Sequence, residues 1–137
     1  QYGFSQSSPP PVKGCVHCFT GDVDELQQYV SMGFYIGLTG YIITANMKDT
    51  PSETTPEISK LKEWLDIIPE DKLVIETDAP YMGFKGCRSI ESKRKNQKYP
   101  NIPAALTQIC QIIADAKGVS YDEIATSTTN NALEFFQ

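Results

Sequence analysis

No apolar run in the sequence approaches the ~18 residues that cross a bilayer as a helix, so a membrane-spanning helix is excluded. The opening stretch QYGFSQSSPPPVKG lacks an initiating methionine, and it lacks a basic segment leading into an apolar one. No secretory signal is therefore visible, and the expectation is a chain that continues something upstream. Histidine is almost missing, since His17 is the only one among 137 residues. Basic charge is in deficit, 12 Lys and Arg against 17 acids, and a net of −5 argues against nucleic-acid binding by bulk electrostatics. A disulfide or zinc framework is also lacking. Cys15 and Cys18 form a C-x-x-C, but residues three apart in a strand point to opposite faces, and Cys87 and Cys110 offer no second pair. The four cysteines read as small hydrophobes in a reducing compartment, which implies cytoplasm or nucleus.

What is present is ordinary for one soluble globular unit: 40% hydrophobic and 21% charged residues. Residues 1–13, with their prolines and serines, read as a connector, and 14–137 as the folded part. GCVHCF is the first strand candidate. GDVDELQQYVSMG follows as a helix, with Val23, Leu26 and Val30 at helical spacing and Gly33 as its stop. FYIGLTGY is the second strand. Pro56, behind Thr55 as cap, opens a helix with Ile58, Leu61, Leu65 and Ile68 in one stripe, ended by Pro69. KLVIETD is the third strand. Asn101 opens a helix lined by Ile102, Leu106, Ile109 and Ile113 and closed at Gly118, and Ser120 with Glu123 makes a capping box for a last helix toward Phe136.

This order describes two β-α-β units, whose crossovers demand parallel strands. Three strands with flanking helices form a slice of an α/β architecture. A closed barrel of eight units takes about 250 residues, so the chain supplies less than half of one. An open flavodoxin-like sheet is the alternative.

In parallel sheets, chemistry collects at the carboxyl ends of the strands. His17 lies near the end of the first strand, Glu76 and Asp78 at the end of the third. Two acids in line after the apolar run Leu73–Ile75 are costly to remove from water unless paired, hydrogen-bonded or bound to a metal. Being two apart, they point to one face of a strand. Each residue also has a structural use: His17 as a partly buried histidine, Asp78 as the cap of the turn DAPY with Pro80, and Glu76 as a partner for Lys13.

The blocks VHCFTGDVDELQQYVSMGFYIGLTGYI, IPEDKLVIETDAPY and NIPAAL…GVSYDEIATSTTNNALEFF resemble, in this order, the last part of the TatD family of metal-dependent deoxyribonucleases, from about Gly14 to the C-terminus. The resemblance implies the C-terminal portion of a (β/α)8 TIM barrel, with these three strands as the sixth to eighth. It implies hydrolysis of DNA phosphodiesters, as an exonuclease, by a protein that is monomeric at full length. Two divalent cations at the carboxyl rim are implied, magnesium first, with manganese or zinc as alternatives. His17 matches the histidine on the second metal, Asp78 the aspartate on the first, and Glu76 an acid beside them, so that Glu76 and Asp78 are the catalytic candidates. Oxygen ligands suit magnesium and manganese, and imidazole adds affinity for later transition metals.

The sequence departs from the family in two ways. The other ligands, an H-x-H pair, a Glu and a further His on earlier strands, have no counterpart, so this chain alone is expected to be an incomplete and inactive piece. A non-catalytic product, or an amidohydrolase-type enzyme on a small substrate, is the alternative. Pro100 stands where the family often carries an Arg. Finally, KGCRSIESKRKNQK, residues 85–98, holds six basic residues and one acid, a net of +5 that leaves −10 on the rest. Lys93, Arg94 and Lys95 at its centre are the candidate contacts to the nucleic-acid backbone; the alternative is a solvated loop.

Overall fold

The structure is a computed structural model and describes residues 13–44, 56–84, 86–88 and 100–137. Three strands form one parallel sheet: β1 (Cys15–Val16), β2 (Tyr35–Leu38) and β3 (Leu73–Ile75), in the order β1-β2-β3. The register pairs Val16 with Ile36 and Gly37 with Val74. All four residues of β2 are buried, as a central parallel strand covered on both faces requires.

Five helices accompany the strands among the described residues: α1 (Val23–Ser31), α2 (Tyr41–Thr44), α3 (Pro56–Ile67), α4 (Leu106–Lys117) and α5 (Tyr121–Phe136). Helix α1 starts on a capping box, with the Glu25 N–H donating to Asp22 Oδ1 at 2.9 Å and the Asp22 N–H to Glu25 Oε2 at 3.3 Å. It buries Leu26 completely, and Gly33 follows in a left-handed conformation at φ 79°. Burial of one such leucine contributes roughly 1.5–3 kcal/mol. Leu61, Trp64, Leu65 and Ile68 of α3 and its end are buried, with the Phe19 ring edge-on to Trp64 at 4.9 Å. α4 buries Ile109 and Ile113 and ends at Gly118, φ 68°. The expected Ser120–Glu123 capping box opens α5. Asn131 of α5 donates to the carbonyls of Glu70 and Leu73 at 2.7 and 2.8 Å, fastening that helix to the start of β3.

The structure corrects several expected boundaries. β1 is shorter than GCVHCF and ends before His17, while β3 ends before Glu76. Asn101 does not begin the third long helix: a 3₁₀ turn at Pro103–Ala105 intervenes, and α4 begins at Leu106. α2, a single turn after β2, is additional to the helices expected. Thr55, the Ile58 side chain, and Lys93, Arg94 and Lys95 lie outside what is described. No described helix is long and apolar enough to cross a membrane.

Candidate metal centre

The chain leaves all three strands at the same rim, and the candidate residues sit where it does so. His17 follows β1 directly, and Glu76 follows β3 with its N–H still donating to Leu38 O at 3.0 Å. From there the Glu76 side chain reaches across the end of β2 to the turn after β1. Its Oε1 accepts the Cys18 N–H at 2.5 Å, and its Oε2 lies 2.6 Å from His17 Nδ1. The crossing needs Gly37: a Cβ there would collide with Glu76 Oε1 and come within 3.2 Å of the Val16 carbonyl. Gly37 is a site residue that sequence reasoning missed. Its signal was a glycine inside an otherwise apolar strand, which marks close approach of another group.

Asp78 reaches the same point from the loop. Its Oδ1 lies 3.3 Å from His17 Nε2, so the imidazole stands between two carboxylates, one on each nitrogen. The convergence does not come from strand alternation, because β3 has already ended and Asp78 has a left-handed backbone, φ 58°. Asp and Asn are the residues besides glycine that enter this region most readily. Cys18 and Met82, at φ 49° and 55°, share it, and the Cys18 thiol lies 3.4 Å from Met82 Sδ.

The structural uses weighed for these residues are not the ones found. Lys13 donates to the carbonyl of Glu134 at 2.6 Å, and the Glu76 carboxylate instead meets His17 Nδ1 and the Cys18 N–H. In the DAPY turn the side-chain acceptor is Thr77 Oγ1, 3.3 Å from the Ala79 N–H, while Asp78 contributes its carbonyl to the Tyr81 N–H and turns its carboxylate toward His17 and the Cys18 thiol. All four cysteines are free thiols; Cys87 and Cys110 are buried, Cys15 and Cys18 half-buried.

The electrostatics follow from this geometry. The hydrogen bond to Glu76 is the first cause that raises the His17 pKa above its ordinary value, followed by the charge of Glu76; burial opposes the rise, and the charge of Asp78 adds least to it. Burial pushes up the Cys18 thiol. In neutral His17 the proton belongs on Nδ1, facing Glu76, and Nε2 then turns a lone pair toward Asp78 Oδ1. Two acceptors 3.3 Å apart repel unless a proton or a cation lies between them.

That requirement is a test of whether a metal fits. Two ligand atoms ~2.1 Å from one cation lie about 3.0 Å apart at a right angle and about 3.4 Å apart at the tetrahedral angle. The observed 3.3 Å falls in that interval. Ligand atoms of His17, Glu76 and Asp78 all lie within 4.8 Å of one another, and among the described residues they form the one such group of at least three His, Cys, Asp or Glu. The site is accessible: the His17 side chain is 67% exposed, Glu76 27% and Asp78 16%.

Comparison with known proteins places this geometry in context. The family described as TatD related DNase matches residues 4–137. A curated relative from Pantoea vagans, named 3'-5' ssDNA/RNA exonuclease TatD, is 34% identical over 129 residues, covering 93% of this chain and 44% of the relative. An uncharacterized metal-dependent hydrolase of Bacillus subtilis is 32% identical, with 92% and 42% covered. The crystal structure of a TatD family hydrolase from Entamoeba histolytica superposes with a TM-score of 0.64 at 27% identity, covering 90% of this chain and 42% of that one. The chain thus spans less than half the length of the curated relatives it matches.

Proposed function

Since this chain belongs to the TatD-related DNase family, we propose that it forms the C-terminal part of a metal-dependent nuclease, with residues 14–137 one side of a barrel and 1–13 their connection to the rest. The convergence of His17, Glu76 and Asp78 carries this reading. His17 Nε2 and the Asp78 carboxylate, 3.3 Å apart, would hold one divalent cation between them, where the family resemblance by itself assigns them to separate cations. Glu76 keeps the imidazole in the tautomer that leaves Nε2 free, the carboxylate–histidine arrangement common behind metal ligands. A divalent cation, when bound, supplies Lewis-acid stabilisation of the charge that develops on phosphodiester oxygens. Magnesium or manganese suits the carboxylates, and zinc is the alternative that the imidazole favours.

The substrate in this reading is single-stranded nucleic acid cleaved from an end, DNA first. The name of the Pantoea vagans relative extends the class to RNA. Three groups are few for two hydrated cations, so the remaining ligands belong to other strands. A barrel that continues is also consistent with β3, which pairs only with β2 among the described residues. Beside it runs an apolar groove of about 390 Å³ lined by Ile75, Leu106, Cys110, Leu133 and Phe136. The 137 residues alone are therefore incomplete as a catalyst.

The test is a metal-dependent cleavage assay on the protein carrying the whole barrel. Single-stranded DNA, single-stranded RNA and cyclic amides serve as substrates, with magnesium or manganese added. Shortening of the strands from one end, abolished by chelation, is expected. Hydrolysis of the amides with both nucleic acids untouched would overturn the reading.

A further inference from the structure

Asp78 and Met82 both have left-handed backbones within five residues, with no glycine between them and the nearest, Gly83, just beyond. Non-glycine residues persist in this region only where the surroundings over-determine them. What does so here is a residue distant in sequence. Asn101 is buried, 3% exposed. Its Nδ2 donates to the carbonyl of Thr77 at 2.5 Å, immediately before Asp78, and to the carbonyl of Met82 at 3.5 Å. Its backbone N–H donates to the carbonyl of Pro80 at 3.0 Å. Three carbonyls spread along 77–82 are thus held from one residue.

We propose that Asn101 is the positioning residue of the metal centre: by holding the Thr77, Pro80 and Met82 carbonyls it sets the direction of the Asp78 carboxylate toward His17 Nε2. The inference rests on the reading of His17 and Asp78 as metal ligands. The chemistry fits asparagine and no other side chain of its size. Two donor hydrogens are needed for two carbonyls, and one acceptor is needed for the Ile102 N–H, which donates to Asn101 Oδ1 at 2.9 Å. The amide orientation follows from those partners. Aspartate has the shape but presents oxygen to two carbonyls, and serine has one donor hydrogen. The Ile102 contact ties the clamp to the turn that leads into α4, so the loop is referred to a helix packed in the core and not only to its own turn.

A residue that merely stabilised the fold would loosen α4 and the loop together, whereas a positioning residue would loosen the loop alone and weaken the cation. Asn101→Ser and the isosteric Asn101→Asp are compared with the parent protein by peptide-resolved amide hydrogen exchange and by calorimetric titration with Mn2+. The expected result in both variants is exchange at least about tenfold faster in 77–82, unchanged exchange across 109–114, and Mn2+ affinity lower by about 10- to 100-fold, the range for lost supports of a ligand. Parental exchange in 77–82, or faster exchange in loop and α4 alike with Mn2+ affinity retained, would overturn the proposal. Asp78→Asn, in which the clamp is intact, should lose Mn2+ affinity without a change in exchange. If it keeps the affinity, the metal reading fails while the exchange result still decides whether Asn101 holds the loop.

Discussion

Glu76 Oε2 lies 2.6 Å from His17 Nδ1, on the side of the imidazole opposite Asp78, so each ring nitrogen meets a different carboxylate, Glu76 closely and Asp78 at 3.3 Å. Roles that look equivalent in the sequence are separated by which nitrogen each acid meets.

Glu76→Gln should lower the His17 pKa, because the bond to Glu76 is the first cause of its rise above 6.5. The pair's contribution to folding is fully present below the unfolded histidine's pKa and is lost as pH rises through the raised folded value. Cation binding runs the other way, since Nε2 must shed its proton, and affinity falls as pH drops through that same value. The chain's single histidine gives one imidazole signal for titration by NMR. An unchanged midpoint in Glu76→Gln would contradict the assignment.

Gly37→Ala should act on the same bond from beneath. The new Cβ would displace the Glu76 carboxylate from the Cys18 N–H and from His17. Overpacking of this kind costs about 1–3 kcal/mol. The diagnostic effect is a His17 pKa shifted down as in Glu76→Gln. Loss of melting temperature with the His17 titration untouched would mean that Gly37 serves packing alone.

Asp78→Asn removes the charge while keeping a residue that tolerates φ 58°. In the complete protein it should lower single-turnover nuclease activity by at least about 10- to 100-fold with little change in melting temperature. His17→Ala should do the same. Near-parental rates in both at low metal concentration would remove them from the site.

Much of this was readable in residue order. The amphipathic spacing of Leu61, Leu65 and Ile68, the Gly118 stop and the Ser120–Glu123 box locate helices by local rules, and the structure follows them. The rim location of His17 and the acids followed from parallel topology. What was not readable depends on interactions across the chain. Strand alternation placed Glu76 and Asp78 on one face, but both lie past the end of β3, and their convergence is made by a reach over Gly37 and by a left-handed backbone. Asn101 read as a helix start, and its grip on the 77–82 carbonyls has no local signature.

The basic segment offers a prediction from charge alone. Neutralising Lys93, Arg94 and Lys95 together should weaken binding of single-stranded DNA most at low salt. It should flatten the salt dependence by about 0.7 log units for each phosphate that the protein no longer neutralises. The measurement is fluorescence anisotropy across a salt series. A slope equal to the parent's would return these residues to the reading of a solvated loop.

The most direct measurement is anomalous diffraction from crystals of the complete protein soaked in Mn2+. The account predicts a peak about 2.2 Å from His17 Nε2 and from an oxygen of Asp78, with Glu76 still hydrogen-bonded to Nδ1. No peak at that position under saturating Mn2+, or a cation bound through Nδ1 with Glu76 displaced from the ring, would contradict it.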